Sequence, residues 1–249
     1  MEEIIVGRNP VCEALRAGRP INKIYLARNL KPATAAELLT LARENRVPVQ
    51  QAEKQLLDRM AAGALHQGII ASVAPYAYAD LDDLLARITG QEPLLVLLDG
   101  INDPHNLGAI IRSADAAGAH GVVIPRRRAV AVTATVARAS AGAVEHVPVA
   151  RVTNMAATIE MLQERGIWVA GADPAATRVI WDVPLDGPLA VVVGGEDKGI
   201  SRLVREKCDM LVRLPMAGRV ASLNASVAAA LVLFEVLRQR NKSNKGILF

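Results

Sequence analysis

The segment LLDGINDPHNLGAIIRSADAAGAHGVVI, residues 97–124, decides the fold class. An apolar run ends at Asp99, a polar turn follows, a helical pattern covers about residues 106–117, and a second apolar run begins at Gly121. The two apolar runs are continuous rather than alternating, which is typical of parallel strands buried on both faces. The segment therefore predicts a strand, a helix and a second strand in a parallel sheet covered by helices.

The same strand and helix pattern continues to the end of the chain, so we predict a doubly wound α/β domain over residues 93–249. Residues 1–75 predict a smaller α/β domain, and residues 76–92 predict a linker because their composition changes between two prolines. The formal net charges of these three parts are +3, −3 and +4 in chain order. Two basic domains on either side of an acidic joint suit a polyanion such as RNA, although ordinary solubility charge explains the same numbers.

The composition of the 249-residue chain is 51% hydrophobic and 3% aromatic, which indicates a globular core of aliphatic residues. The sequence has no apolar stretch of roughly 20 residues and no signal-peptide pattern at its start, so we expect a cytoplasmic protein without membrane contact. Cys12 and Cys208 have no metal-type spacing. They predict reduced, packed thiols and no metal site.

Polar residues follow three of the predicted buried strands, where parallel sheets bind ligands. After the first strand, Asn102 and Asn106 are candidates to cap the next helix, and Arg112 lies further along it among small and apolar residues. That arginine is either an ordinary surface residue or a group that reaches a partner. The second place is VVVGGEDKGIS, residues 191–201, whose glycines permit close approach of the backbone to a ligand. Its spacing matches neither G-x-G-x-x-G nor the Walker pattern, so it does not predict a phosphate cradle.

The third place is RLPMAGRVASLNASVAAALVLFEVLRQR, residues 213–240, where a Gly-containing loop follows a strand. Ser222, Asn224 and Ser226 then open an almost wholly apolar helix. One of these three side chains is explained as a helix cap. The other two indicate a cavity or a ligand.

In this order and spacing, the three segments resemble the three motifs of the SpoU (TrmH-like) RNA ribose 2′-O-methyltransferases of the SPOUT superfamily. The resemblance covers about residues 93–240 and rests on NDPHNLGAIIRSADAAG, GGEDKG and LPMAGRVASLNASVA. The segments GRNPVCEAL and ALHQGIIASV resemble the ribosomal-protein-like substrate-binding domain of the branch that modifies a guanosine of 23S rRNA. This branch is our first choice for the RNA substrate.

The resemblance implies a C-terminal domain threaded into a deep trefoil knot, with S-adenosylmethionine bound by the knotted loops. It also implies a homodimer that buries the helix of the third motif. The implied cofactor-binding residues belong to the second and third motifs; they are Gly194, Gly195, Leu214, Pro215, Met216, Gly218 and Leu223. A neutral adenosine and a sulfonium cation suit an apolar slot with backbone hydrogen bonds and nearby negative charge.

The resemblance implies five catalytic residues: Asn106, Arg112, Glu196, Ser222 and Asn224. An arginine stays protonated near neutral pH, because its pKa is above about 12. We therefore expect Arg112 to stabilise an oxyanion or hold a phosphate, Glu196 to orient Arg112, and Asn106 to fix the ribose. The identity of the general base is left open.

RNA binding is expected from basic surfaces, because scarce aromatic residues argue against a base-stacking sheet. The candidate residues are Arg126, Arg127, Arg128 and Arg138, and Arg151 and Arg219 extend the stripe. Two other functions stay open. One is a non-catalytic RNA-binding or ribosome-assembly protein on the same fold. The other is a nucleotide-dependent oxidoreductase, which the absence of a G-x-G-x-x-G fingerprint disfavours.

Overall fold

The computed structural model describes residues 3–219 and 222–243. The described chain alternates between strands and helices, with short 3-10 turns at Ala143–Glu145 and Ile180–Asp182. In chain order the elements are β1 (Glu3–Val6), α1 (Arg8–Arg16), β2 (Ile21–Ala27), α2 (Pro32–Glu44), β3 (Val49–Ala52), α3 (Lys54–Ala61), β4 (Ile69–Val73), α4 (Leu81–Ala86), β5 (Leu94–Asp99), α5 (Pro104–Ala116), β6 (Gly121–Pro125), α6 (Ala134–Ala139), β7 (Val149–Val152), α7 (Met155–Glu164), β8 (Trp168–Ala172), β9 (Arg178–Val179), β10 (Leu189–Gly194), α8 (Arg202–Lys207), β11 (Met210–Arg213) and α9 (Ala225–Ser243).

The chain forms two compact units, and the first comprises the residues up to Ala77 together with Val132–His146. Its four-stranded sheet has the order β1-β4-β2-β3, in which β2 and β3 are parallel and the other pairs are antiparallel. The helix α6, which the sequence analysis placed in the second domain, packs on β1 in this unit. The Arg19 guanidinium ties the same segment to the unit through Glu145, 2.6 Å away. These tertiary contacts have no local sequence pattern, so the sequence did not indicate them.

The second unit comprises Tyr78–Ala131 and the residues from Val147 onward. Its seven-stranded sheet has the order β7-β6-β5-β10-β8-β11-β9, and all of its recorded strand pairs are parallel. This confirms the parallel sheet predicted from the continuous apolar runs. The two-residue strand β9 is too short to have a sequence signal, and it was not predicted. Part of the predicted linker, helix α4, packs in this unit, where Leu84 is buried.

The two innermost strands explain why the sheet is stable, since β5 and β10 pair over their whole length from Leu94 and Leu189 onward. Every residue of both strands is buried except the last. The chain winds outward from β5 through β6 and β7, and the later strands lie on the other side, next to β10. The topology therefore changes direction between β5 and β10, and such a switch point opens a crevice beyond the carboxyl ends of the strands.

Candidate active site

The loops after β5 and β10 are tied together at this switch point. Asp99 and Gly194 are aligned at the ends of the two strands, and the Gly195 amide donates to the Asp99 carbonyl at 3.0 Å. The Asp99 carboxylate accepts a hydrogen bond from the Ser201 amide at 2.7 Å, which fixes the end of the second loop. The sequence analysis did not single out this carboxylate as functional. An acidic residue at the end of a buried strand was the signal that could have identified it.

Two glycines of the second motif are required by the protein's own backbone. A Cβ atom at Gly194 would lie 2.0 Å from the Gly199 carbonyl carbon, and one at Gly195 would lie 2.3 Å from the Gly100 carbonyl oxygen. A side chain at Gly194 would collide with the backbone of its own loop, and one at Gly195 would force that loop away from the loop after β5. Ligand approach was the predicted reason for these glycines, whereas the observed reasons are a close backbone contact within the second-motif loop at Gly194 and contact with the first-motif loop at Gly195.

Asn106 joins all three motifs. It lies in the first turn of α5, and only 8% of its surface is exposed. Its side-chain amide donates a hydrogen bond to Glu196 Oε1, and its Oδ1 accepts one from Asn224 Nδ2 at 3.0 Å. We call Asn106, Glu196 and Asn224 the motif junction. Three distant segments of sequence therefore meet at one hydrogen-bonded side chain.

Asn224 has a second role as the cap of α9. Its Oδ1 accepts hydrogen bonds from the Ser226 amide at 2.9 Å and from the Val227 amide at 3.3 Å. The Ser226 hydroxyl donates to the same oxygen at 2.6 Å. Two of the three polar residues at this helix start are therefore explained by capping. The third, Ser222, is exposed and makes no side-chain hydrogen bond to the described residues.

The cap of α5 differs from the prediction. Asp103 caps this helix by accepting a hydrogen bond from the His105 amide at 2.8 Å. Asn102 instead donates to the Gly100 carbonyl at 3.2 Å, and Asn106 is committed to the motif junction. The assignment of the cap to one of the two asparagines was wrong, because an aspartate directly before Pro104 supplies it.

Arg112 lies outside the motif junction. It is exposed on α5, and no hydrogen bond or ion pair joins it to the part of the chain that the structure describes. The expectation that Glu196 orients Arg112 is not met, since Glu196 bonds to Asn106 instead. Arg112 follows Asn106 by six residues on α5, so the two side chains point about 120° apart around the helix. Arg112 therefore lies away from the Glu196 that Asn106 holds.

A cavity of about 1000 Å³ lies beyond the carboxyl ends of β5, β6, β7 and β10, and we call it the central cavity. Acidic and basic side chains both line it, including Glu196, Lys198, Arg127 and Arg128. The sequence analysis assigned no function to Lys198. A cavity of this size with mixed charge can hold part of a nucleic acid, because cations contact phosphates and the carboxylate accepts a hydroxyl hydrogen bond.

The remaining predicted residues lie in several places. Leu214 is half-buried at the end of β11, Pro215 and Gly218 are exposed, and Met216 and Leu223 are 38% and 37% exposed. The loop that they form also contains Val220 and Ala221, which are outside the described residues.

Among the predicted RNA contacts, Arg126 lines a second cavity of the second unit, whereas Arg138 lines a cavity of about 420 Å³ in the first unit.

Both cysteines pack with hydrophobic core residues. Both thiols are free; Cys12 is buried and Cys208 is half-buried. Burial raises the pKa of Cys208 to about 12 and also raises the pKa of Cys12. The described residues contain no cluster of three side chains suited to hold a metal ion and no helix able to cross a membrane.

Two family models match this chain. Residues 93–234 match the SpoU rRNA Methylase family, and residues 4–79 match a domain described as RNA 2′-O ribose methyltransferase substrate binding. The first match contains every member of the motif junction. The second match corresponds to the segment that forms most of the first unit.

Known proteins resemble the chain over nearly its full length. A Bacillus subtilis (strain 168) protein, YacO, whose name assigns it to the TrmH family of tRNA/rRNA methyltransferases, is 50% identical over 241 residues, which are 96% of each chain. The solved structure of the SpoU methyltransferase AviRb from Streptomyces viridochromogenes, in complex with the cofactor AdoMet, has a TM-score of 0.82 and 31% identity. That match covers 96% of this chain and 90% of the other. A solved RNA 2′-O ribose methyltransferase gives a TM-score of 0.80 and 26% identity, with 96% and 89% covered.

Proposed function

Because the chain belongs to the SpoU rRNA methylase family, we propose that it transfers a methyl group from S-adenosylmethionine to a ribose 2′-oxygen of RNA. The observation that carries the proposal is the motif junction, in which Asn106 holds Glu196 and Asn224 together. A transfer between two bound molecules needs fixed groups around the reacting atoms, because positioning alone supplies several kcal/mol. The hydrogen bonds of the junction provide that fixed geometry.

We propose a guanosine of 23S rRNA as the finer substrate. The match of residues 4–79 to a substrate-binding domain supports a large folded RNA, because that unit provides a second RNA-binding surface. The name of the Bacillus subtilis relative includes both tRNA and rRNA. A methylation assay on both RNAs therefore decides this part of the proposal.

The residues present fit S-adenosylmethionine by their chemistry. Met216 and Leu223 offer exposed apolar side chains for adenosine, and the loop of Gly194 and Gly195 offers backbone groups. Glu196 and Asp197 place negative charge next to that loop, which favours a sulfonium cation. Leu214, Pro215 and Gly218 complete the proposed cofactor site. When bound, the cofactor supplies an electrophilic methyl group.

The chain's own residues prepare the 2′-hydroxyl for that transfer. One carboxylate oxygen of Glu196 is held by Asn106, and Glu196 lines the central cavity. We assign Glu196 to accept a hydrogen bond from the 2′-hydroxyl. This hydrogen bond increases the electron density on the hydroxyl oxygen, and the Glu196 carboxylate takes the hydroxyl proton as the new O–C bond forms. In this assignment Asn106 positions Glu196, and Asn224 holds Asn106 from the other side. Ser222 is assigned to the ribose or the cofactor, because no described group uses its hydroxyl.

Arg112 has a different proposed role. Its exposed guanidinium has no partner in the described chain, so it is available to an RNA phosphate. Arg126, Arg127 and Arg128 extend the proposed RNA contact along the cavities of the second unit, and Arg138 contributes from the first unit. All of these contacts are electrostatic, so RNA affinity should fall steeply with salt.

A homodimer is also part of the proposal. Val227, Leu231 and Phe234 on α9 are 46%, 44% and 49% exposed, and their spacing places them on one face of the helix. An exposed stripe of large apolar side chains is typical of a protein interface. We assign this face to a second copy of the chain. The trefoil knot implied by the family resemblance and the cytoplasmic location expected from the sequence are kept as proposals, as is the division into domains at 1–75, 76–92 and 93–249.

The experiment that tests the proposed function has two parts. First, thermal unfolding of the protein is measured with S-adenosylmethionine, NAD or ATP, and only the first is expected to raise Tm. Second, rRNA and tRNA from cells that lack the gene are incubated with protein and labelled S-adenosylmethionine, and the product nucleosides are identified by mass spectrometry. A 2′-O-methylguanosine in 23S rRNA is the expected product. The proposal would be contradicted if S-adenosylmethionine raised Tm but no methyl group reached either RNA. A methylated base in place of a methylated ribose would contradict it as well.

A further inference from the structure

A second cavity lies beside the central cavity, at the edge of the parallel sheet. Its volume is about 870 Å³, and its lining includes Tyr78, Arg126 and Arg151. We call it the edge cavity. Thr153 and Asn154 line both cavities, so the two are neighbours within the second unit. A space of this size accommodates a nucleotide.

The guanidinium of Arg151 lies over an aromatic ring. Its central carbon lies 4.5 Å from the centroid of the Tyr78 ring, and one of its terminal nitrogens donates to the Arg126 carbonyl at 3.4 Å. Its Nε is buried and has no hydrogen-bond partner. Such a guanidinium is oriented in advance and has unused donors, which is the arrangement that binds phosphates and stacks on bases.

The two carboxylates that line the edge cavity, those of Asp80 and Asp82, already have other partners. Asp80 accepts hydrogen bonds from the Asp82 and Asp83 amides at 2.9 and 3.3 Å, and Asp82 forms an ion pair with Arg165. Neither Arg126 nor Arg151 forms an ion pair with a carboxylate of the described residues. The cavity therefore has two cations available to an anion.

The arginine triplet connects the two cavities. Arg126 lines the edge cavity, whereas its neighbours Arg127 and Arg128 line the central cavity that contains Glu196. A nucleic acid strand with its target ribose near Glu196 can follow these three cations past Thr153 and Asn154. One chain of phosphates would then pass from one cavity to the other.

We infer that the edge cavity binds a nucleotide of the RNA substrate next to the one that is methylated, with its base on the Arg151–Tyr78 pair and its phosphate on Arg126. This inference rests on the proposed function, because it takes the ligand of the central cavity to be RNA. Stacking on an arginine and a single aromatic ring tolerates any base, so this subsite adds affinity and register rather than base identity. It assigns Tyr78 and Arg151 to substrate positioning.

The test uses the full chain and a fluorescein-labelled single-stranded oligouridine of about 12 nucleotides that contains 4-thiouridine. Arg151→Ala and Tyr78→Leu are expected to weaken binding by about 10-fold each, whereas Tyr78→Phe keeps the ring and stays within about 2-fold. Arg126→Ala, at an exposed position, is expected to lower the slope of log Kd against log salt by about 1. Photocrosslinks are expected in the peptide that contains Tyr78.

Arg178→Ala is the matched control, because it removes one exposed arginine from β9 at the opposite edge of the same sheet. Equal weakening by Arg151→Ala and Arg178→Ala would overturn the inference. It would also be overturned if Tyr78→Phe weakened binding as much as Tyr78→Leu. Binding of 5′-UMP as tight as that of the oligouridine would identify a site for a free nucleotide and would equally contradict it.

Failure of this inference is distinguishable from failure of the proposed function. If wild-type protein methylates rRNA and the edge-cavity variants keep the wild-type KM for that RNA, the subsite is wrong and the enzyme assignment stands. If the variants raise KM by about 10-fold with kcat within about 2-fold, the edge cavity positions substrate as inferred. If wild-type protein transfers no methyl group, the proposed function itself fails.

Discussion

Two positions on helix α5 differ in almost every physical respect. Asn106 is buried and has hydrogen bonds on both sides of its amide, whereas Arg112, less than two turns away, is exposed and has no partner in the described chain. Both residues belong to the first motif, and the family resemblance implied a catalytic role for both. The structure instead separates a group that joins the chain's own loops from an exposed group that bonds to no described residue.

One sequence motif therefore contains two residues in very different environments. A buried amide that satisfies a carboxylate and a second amide fixes geometry, and its loss affects both folding and chemistry. An exposed cation costs little to remove from the folded state. The two positions should therefore respond differently when stability and methyl transfer are measured on the same variants.

The largest expected loss of methyl transfer follows from Asn106→Ala. This change frees Glu196 and Asn224 from each other, so kcat should fall by about 100-fold to 1,000-fold. The free energy of unfolding should fall by about 1 kcal/mol through the lost hydrogen bonds. Single-turnover kinetics and urea unfolding measure the two effects. Ser113→Ala, which removes a side-chain hydrogen bond on the same helix, is the control, and equal loss of activity in both variants would refute the role of the junction.

Arg112→Ala should give the second-largest loss, about 100-fold in kcat/KM, because one charge-assisted contact to RNA disappears. Its free energy of unfolding should stay within about 0.5 kcal/mol of wild type, since no described group depends on the side chain. Arg112→Lys should retain part of the activity through its charge. If Arg112→Ala clearly lowered the free energy of unfolding but kept methyl transfer, the predicted difference between Arg112 and Asn106 would be wrong.

Leu231→Asp should reduce transfer by about 10-fold by placing a charge on the exposed apolar face of α9. The expected cause is dissociation of the proposed homodimer, which sedimentation measures directly. Lys242→Asp introduces the same residue about two turns beyond Phe234, past the end of the apolar stripe, and should leave the oligomeric state unchanged. A monomeric wild-type protein with full activity would remove the dimer from the account.

Glu235→Ala should have the smallest effect on transfer, within about 2-fold, but should lower stability by about 1–3 kcal/mol. This buried carboxylate accepts hydrogen bonds from Arg238 at 2.6 and 2.7 Å and from Gln239 at 2.8 Å, away from the motif junction. Gln239 in turn bonds to the Leu185 amide and the Val183 carbonyl. Glu235→Ala should therefore lose stability and keep methyl transfer, whereas Arg112→Ala should lose transfer and keep stability. A loss of transfer larger than the loss of folded Glu235→Ala protein would contradict this prediction.

The same carboxylate predicts a pH effect. Hydrogen bonds from Arg238 lower the pKa of Glu235. A carboxylate with a lowered folded-state pKa stabilises the protein above its unfolded pKa of about 4.3, and the contribution disappears as pH falls through the folded value. Urea unfolding between pH 6 and pH 3, roughly the range of carboxyl titration, should show a steeper loss in wild type than in Glu235→Gln. Parallel curves would show that Glu235 makes no such contribution.

The sequence predicted the parallel sheet because strands buried on both faces have continuous apolar runs, as in β5 and β10. It also brought Asn106, Glu196 and Asn224 into one proposed site, through the resemblance of the three motifs. Their hydrogen-bond pattern had no local signal, because it depends on loops that meet only after the sheet has formed. The sequence likewise did not indicate the hydrogen bond that the Ser201 amide donates to the Asp99 carboxylate, or the backbone contacts that require glycine at positions 194 and 195.

The edge cavity and the placement of α6 were beyond sequence reasoning for a related cause. Tyr78 was read as part of a linker, and only the folded chain places its ring over Arg151. Arg138 was grouped with the arginine triplet by its nearness in sequence, but α6 belongs to the first unit. Separation along the chain is a poor guide wherever a segment leaves one unit and returns to it.

A double-mutant cycle on Asn106 and Glu196 tests the central claim most directly, with kcat for methyl transfer to rRNA measured for Asn106→Ala, Glu196→Ala and the double variant. If Asn106 acts by holding Glu196, the double variant should be no more than about 3-fold slower than the slower single variant, because residues that act as a unit are not additive. If the fold-loss of kcat in the double variant equals the product of the two single-variant losses, the residues act independently. That result would contradict the motif junction as the catalytic site.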